Sequence, residues 1–186
     1  MATNQHKIMK EELELKLVEK FPKFLKDYKG DPKESRLAFG VECGNGWYNI
    51  IHDCFTQLEA MCKFDKSLKI NIQQIKEKFG TIRIYASVDC DKDITRSIVY
   101  ALITHTETLS EDVCEVAGDY GSLCKRGMWY KTLSYDVVRA DDSDYSDYIP
   151  VNEKTIDYWK YRDENNFTPI AFGVGDHPDY KYDDSI

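Results

Sequence analysis

The sequence predicts an α+β fold: a small antiparallel sheet, with a central hairpin at about residues 69–88, covered by two or three helices. Three observations predict it. Residues 47–63 carry apolar side chains at helical spacing on one stripe: Trp47, Ile50, Ile51, Cys54, Phe55, Leu58, Met61 and Cys62. Thr81–Ala86 alternates strictly, with Ile82, Ile84 and Ala86 on one side and Thr81, Arg83 and Tyr85 on the other. Between these segments, Ile70, Ile72 and Ile75 precede a turn at Lys78-Phe79-Gly80, which closes the hairpin.

The remaining elements follow in order. Residues 7–28 repeat Met9, Leu13, Leu17, Phe21, Phe24 and Leu25 at steps of three and four, which predicts an amphipathic helix. Its other faces are rich in Lys and Glu and read as solvated. Pro22 predicts a kink or break near Phe21, because proline removes a helix hydrogen bond and clashes with the preceding turn. Gly30-Asp31-Pro32 marks a loop. Phe39–Trp47 reads as a short extended segment ending in a glycine turn, with Asn45 or Gly46 as the cap of the next helix. A third helix is expected at about 92–109, with Ile94, Ile98, Ala101, Leu102, His105 and Leu109 on its buried stripe. Beyond Ser110 the pattern weakens. Cys114–Leu123 reads as a glycine-bearing loop, Met128–Val138 as a strand, Asp141–Tyr148 as an exposed loop and Ile156–Trp159 as a short helix. One more strand is expected within Asn165–Gly175. The expected organisation is a single domain over 1–175 with a flexible acidic tail at 176–186.

Charge narrows the function classes. The chain of 186 residues has net charge −8, yet residues 1–132 balance 20 basic against 20 acidic groups. The last 54 residues carry 5 against 13, so the whole excess is C-terminal. An acidic protein repels polyanions at long range, which argues against duplex nucleic acid as a partner. No apolar run is long enough for a membrane span, and the first ten residues do not read as a secretory signal. The six cysteines are expected to be free thiols, as a reducing compartment keeps them.

A catalytic constellation is not apparent. His6, His52, His105 and His177 are scattered, with no Ser-His-Asp order, nucleophile elbow or His-Glu-x-x-His pattern. No cofactor motif stands out. Gly44-Asn45-Gly46 ahead of a helix is a possible anion cradle, but it lacks the Lys-Ser/Thr of a phosphate loop, and the plainer reading is a strand-to-helix turn. Basic residues interleaved with aromatics are more suggestive. Lys76, Lys78, Phe79, Arg83 and Tyr85 lie on the hairpin, and Lys125, Arg126, Trp129, Tyr130 and Lys131 form a second cluster. Arginine forms bidentate bonds to phosphate, and Tyr or Trp offers a face to a base. The competing view is an ordinary strand face, with Arg83 paired to Glu77 across the hairpin.

Phe39-Gly-Val-Glu-Cys-Gly-Asn-Gly-Trp47, Ile75-Lys-Glu-Lys-Phe-Gly-Thr-Ile-Arg-Ile-Tyr85, Thr106-Glu-Thr-Leu-Ser110, Cys114-Glu115 and Trp129-Tyr-Lys-Thr-Leu133 together resemble a widespread family of small bacteriophage proteins. The blocks cover about residues 35–133. The family pattern includes a Cys-x-x-Cys knuckle in its last two blocks. Here Ala117 stands where the second Cys would fall, and Ser134 and Val137 occupy the second pair's positions, so the resemblance implies that any zinc site is lost. The resemblance further implies a phage anti-defence sponge that acts in the host bacterial cytoplasm. Such a sponge sequesters a cyclic dinucleotide signal of CBASS immunity, such as 3′,3′-linked cyclic GMP–AMP, without cleaving it. A ligand of near two-fold symmetry suits a homodimer or homotetramer, in which one set of residues serves twice. The residues with suitable chemistry are Lys76, Lys78, Arg83 and Tyr85, with Trp47, Lys125, Arg126 and Trp129 nearby. The alternative is a phage accessory protein that binds a host protein through its acidic C-terminal third, where seven of the thirteen tyrosines lie. A metal-dependent phosphodiesterase is a third reading, and it lacks a visible His/Asp ligand cluster.

Overall fold

The computed structural model describes residues 9–165. Among these residues, five α-helices and two three-stranded sheets make an α+β fold.

Helix α1 runs Glu11–Lys20 and stops at Phe21, one residue before Pro22. The expected continuation to residue 28 is replaced by tight turns, with Phe24 N–H bonding the Phe21 carbonyl and Tyr28 N–H that of Leu25. Leu17, Phe21, Phe24 and Leu25 still reach the core, so the apolar repeat survives the break. Glu14 on α1 is buried. Its carboxylate accepts from the Val41 N–H at 2.7 Å and the Tyr28 hydroxyl at 2.6 Å. Burial and that carboxylate push the Tyr28 hydroxyl up to about 12.

The first sheet is mixed. Strand β1 (Val41–Glu42) runs parallel to β2 (Lys69–Lys78), which pairs antiparallel with β3 (Thr81–Asp89). A bulge at Gln73 shifts the inward positions of β2 from Ile70 and Ile72 to Ile75. Such an extra residue reverses the alternation, as a one-residue slip must. Helices α2 (Tyr48–Phe64) and α3 (Asp93–Leu109) join Ile70, Ile72, Ile75, Ile82 and Ile84 in one core. The open edge of β3 is closed by side chains of the α3 end: Ile82 N–H bonds Ser110 Oγ and Ile84 N–H bonds Glu107 Oε1, both at 2.9 Å.

Helix α3 is rotated from its expected orientation. It buries Thr95, Val99, Ile103 and Thr106, while Ile94 is 67% exposed and Ile98, His105 and Leu109 also face outward. The reason lies at its start. Thr95 Oγ1 donates to Asp65 Oδ2 at 2.8 Å, and Asp65 also receives the Ser67 N–H and hydroxyl. A satisfied buried carboxylate at the α2–β2 corner selects the Thr95 face over the isoleucine face.

The second sheet comprises β4 (Ser122–Arg126) between β5 (Trp129–Leu133) and β6 (Ile149–Pro150). Strand β4 falls at the end of the segment expected to be loop, and the strand expected over 128–138 splits into β5 and a helix, α4 (Tyr135–Arg139). Helix α5 is longer than expected, at Glu153–Asn165. Cys114, Cys124, Leu133, Val138, Tyr145, Tyr148 and Trp159 form a second apolar cluster. The 141–148 loop thus exposes its aspartates but buries two of its tyrosines. The strand expected within Asn165–Gly175 and the tail at 176–186 lie outside the described residues, apart from Asn165, which ends α5.

Candidate functional site: the outer face of the hairpin

Strand alternation, corrected for the bulge, decides which hairpin residues meet. Inward Ile75 lies opposite Ile84, so outward Lys76 lies opposite Arg83 and Gln74 opposite Tyr85. Lys76 Nζ sits 5.5 Å from the centre of the Tyr85 ring. Arg83 Nη1 donates to Thr81 Oγ1 and to the Ile82 carbonyl, both at 2.6 Å, which holds the guanidinium against its own strand. Lys78 is placed opposite Thr81 and lies over Phe79, 5.6 Å from the ring centre. Among the described residues, none of these three cations has a carboxylate within ion-pair distance. Tyr85 keeps 42% of its surface exposed.

The competing pair is absent for a geometric reason. Glu77 lies opposite Ile82, on the face away from Arg83, and its carboxylate accepts from the Gly80 N–H at 2.7 Å, closing the turn.

Trp47 is corrected. It is fully buried, and its indole N–H donates to the Val113 carbonyl at 2.8 Å, so no ligand can stack on it. The second cluster divides. Leu123 and Thr132 lie towards the hairpin turn, where Thr132 Oγ1 donates to the Gly80 carbonyl at 2.7 Å. Lys125 and Tyr130, two residues further along, share that face. Arg126 and Trp129 occupy the opposite face. Arg126 pairs with Asp147 at 3.1 Å and lies over the Tyr148 ring, so it ties the 141–148 loop to the second sheet. Lys125 and Arg126 therefore cannot serve one ligand on one face.

Gly44-Asn45-Gly46 is no anion cradle. Its donors are already used: Gly44 N–H bonds Glu115 Oε1 at 3.0 Å, and Gly46 N–H bonds the Glu115 carbonyl at 2.8 Å. Asn45 caps no helix with its side chain; Asn45 Oδ1 accepts from the Lys10 N–H at 2.8 Å. The Glu115 carboxylate is buried and bonded to Lys131 Nζ at 2.5 Å. Burial pushes its pKa up, against the pull of the Lys131 ammonium.

His52 and two of the cysteines have structural surroundings. His52 is buried between Tyr48, stacked at 6.0 Å, and the edge of Phe21 at 5.4 Å. All six cysteines are free. Burial pushes Cys54 up to about 11 and Cys124 to about 12, which keeps both as thiols at neutral pH. The Ala117 N–H points at Cys114 Sγ, 3.5 Å away, and Ser134 lies near enough to pull that thiol's pKa down against its burial, so two of the knuckle positions meet at one thiol. Among the described residues, no group of three or more His, Cys, Asp or Glu is placed to hold a metal. None of the described helices is long and apolar enough to cross a membrane.

Sequence reasoning missed one surface. A cavity of about 760 Å³ opens between the end of α1, the C-terminal end of α2 and the start of β2, and six lysines line it. They are far apart in sequence and individually read as solvated charges, and nothing in the local pattern marks their convergence.

No family model, curated protein or solved structure matches the chain.

Proposed function

We propose that this chain binds and sequesters a cyclic dinucleotide signal, of the 3′,3′-cyclic GMP–AMP type, without cleaving it. The observation that supports this reading is the cross-strand pair Lys76–Arg83 beside the exposed Tyr85, three side chains on one sheet face with, among the described residues, no carboxylate partner for either cation. Arg83 supplies charge-assisted bonds to a phosphate, worth about 1.5–3 kcal/mol each. Tyr85 supplies a stacking face, worth about 1–3 kcal/mol per base. The face is open, so enclosure of a two-fold ligand calls for a second copy of the chain, which contributes the same residues again. A sponge requires no general base or nucleophile. The phage-family resemblance of residues 35–133 favours the same class, with action in the host cytoplasm as an anti-CBASS protein.

The protein-partner reading draws less support. Tyr135, Tyr145 and Tyr148 of the Tyr-rich third pack in or against the second apolar cluster, which leaves Tyr158 and Tyr161 on α5 as its exposed tyrosines among the described residues.

The test is retention followed by heat. Protein incubated with cyclic GMP–AMP is desalted and denatured, and the released nucleotide is identified by mass. Intact ligand supports the sponge. A cleaved product means an enzyme, and an empty protein favours a protein partner.

A further inference from the structure

We propose that the lysine-lined cleft is a second binding site, separate from the hairpin face, for a small molecule that carries clustered phosphates on a ring-sized body. Its walls bring together Lys20, Lys23, Lys26, Lys63, Lys66 and Lys69, against three carboxylates. This excess of positive charge sits in a chain whose net charge is −8.

Ordinary helix chemistry explains only part of the cluster. Lysines complement the negative end of a helix dipole, which accounts for Lys20 at the end of α1 and Lys63 at the end of α2. Lys63 is also paired with Glu59 at 3.2 Å. Lys23, Lys26, Lys66 and Lys69 belong to neither helix end. Among the described residues none of the four has an ion-pair partner. Their convergence has a local cause. The break at Pro22 converts the chain after α1 into three-residue turns, bonded from Phe24 N–H to Phe21 and from Tyr28 N–H to Leu25. Lys20 at the end of α1 and Lys23 and Lys26 in the turns that follow all border the cleft. The turn at Asp65 then carries Lys66 and Lys69 to the opposite wall.

Like charges that border one cavity repel one another, over a screening length of about 8 Å at physiological salt. A bound polyanion removes that repulsion. The kind of anion follows from the lining. Lysine acts as a point charge, and no arginine is present to grip a planar group with a fork. Charge density is therefore recognised more than shape, which favours adjacent phosphates. Phe21, Phe24, Leu68 and Ile70 give the cleft an apolar floor for a ring. Phe21 and Phe24 are themselves buried against Phe55, so they offer edges and no open stacking face. A cyclic dinucleotide, with two separated diesters and two bases to stack, suits the hairpin better. The two places also lie apart: Lys69 to Lys76 spans seven residues of β2, roughly 20 Å of strand. The volume is in the range of small-molecule sites, about 300–1,000 Å³.

Calorimetry of the full chain against tripolyphosphate, adenosine triphosphate and vesicles containing phosphatidylinositol bisphosphate tests this. The triphosphate nucleotide is expected to bind, more tightly than tripolyphosphate, with affinity that falls as salt rises. Lys23→Gln/Lys26→Gln/Lys66→Gln is expected to weaken it at least thirtyfold, and the corresponding Arg triple variant to retain it. All three lysines are exposed, and circular dichroism confirms that each variant folds. Lys76→Gln/Arg83→Gln is expected to leave it unchanged. The inference is overturned by absence of binding at millimolar nucleotide, by undiminished affinity in the Gln triple variant, by loss of affinity only in the hairpin variant, by tripolyphosphate binding as tightly as the nucleotide, or by capture on vesicles alone.

Discussion

Gly46 lies so close to Cys114 that a Cβ on the glycine would come within 2.2 Å of the cysteine's carbonyl oxygen. Gly44 stands in the same relation to Glu115, at 2.3 Å from its carbonyl oxygen. Two glycines let the turn before α2 press against the segment that leads to the second sheet, and this contact joins the two apolar clusters.

Gly46→Ala is therefore expected to destabilise strongly. Overpacking commonly costs about 1–3 kcal/mol, and here the obstacle is the Cys114 backbone carbonyl, next to the Glu115 carbonyl that receives the Gly46 N–H. Urea unfolding followed by circular dichroism should place the loss at the upper end of that range. A loss under about 0.5 kcal/mol, the scale of a neutral surface change, would mean that the contact is looser than the structure has it.

Glu115 and Lys131 form a buried ion pair that also receives the Gly44 N–H. Removal of one partner leaves an uncompensated charge, which costs about 3–5 kcal/mol. Glu115→Ala should lose about that much. Glu115→Leu combined with Lys131→Met should recover most of it, because two apolar groups need no partner. A double variant no better than the single would contradict the charge explanation.

Asp65 is expected to contribute to acid stability. Bonds from Ser67 and Thr95, with a smaller pull from Lys92, hold its carboxyl down to about 2, against 3.8 in the unfolded chain. A carboxyl lowered in the folded state contributes stability that is complete above the unfolded value and is lost as pH falls towards the folded one. The stability gap between wild type and Asp65→Asn should thus be constant from neutral pH to about 4, then shrink as pH falls towards 2. Unfolding midpoints across that window measure it, and a gap that shrinks only above pH 5 would assign it to another group.

The face of α3 can be read by paired substitutions. Val99→Ala should cost about 2 kcal/mol, as a core truncation does. Ile98→Ser should stay within about 0.5 kcal/mol, as an exposed change does. The reverse ranking would restore the isoleucine stripe to the core.

On the hairpin, Tyr85→Ala and Arg83→Ala should each weaken cyclic GMP–AMP binding at least tenfold, since one decade is about 1.4 kcal/mol. Tyr85→Phe should keep most of the affinity if the ring stacks. Wild-type affinity in both alanine variants, with folding intact, removes the hairpin face from the site.

Local pattern by itself determined the α+β class, α2, the hairpin and the outward set of Arg83 and Tyr85. Each of these rests on interactions within a few residues, and periodicity records them directly. Pro22 likewise announced the end of α1, because proline acts on its own turn. What only the tertiary structure decided depends on partners distant in sequence. The isoleucines of α3 formed an apolar stripe as regular as that of α2, but Asp65, thirty residues before Thr95, turned the helix to bury a threonine. Trp47 looked like a ligand platform until Val113 claimed its indole N–H, and the Gly44-Asn45-Gly46 donors looked free until Glu115 took two of them. The cleft lysines follow the same rule in reverse. Each reads alone as a solvated charge, and only the folding of α1, α2 and β2 against one another brings six of them around one cavity, because electrostatic meaning depends on distance in space and not on separation along the chain.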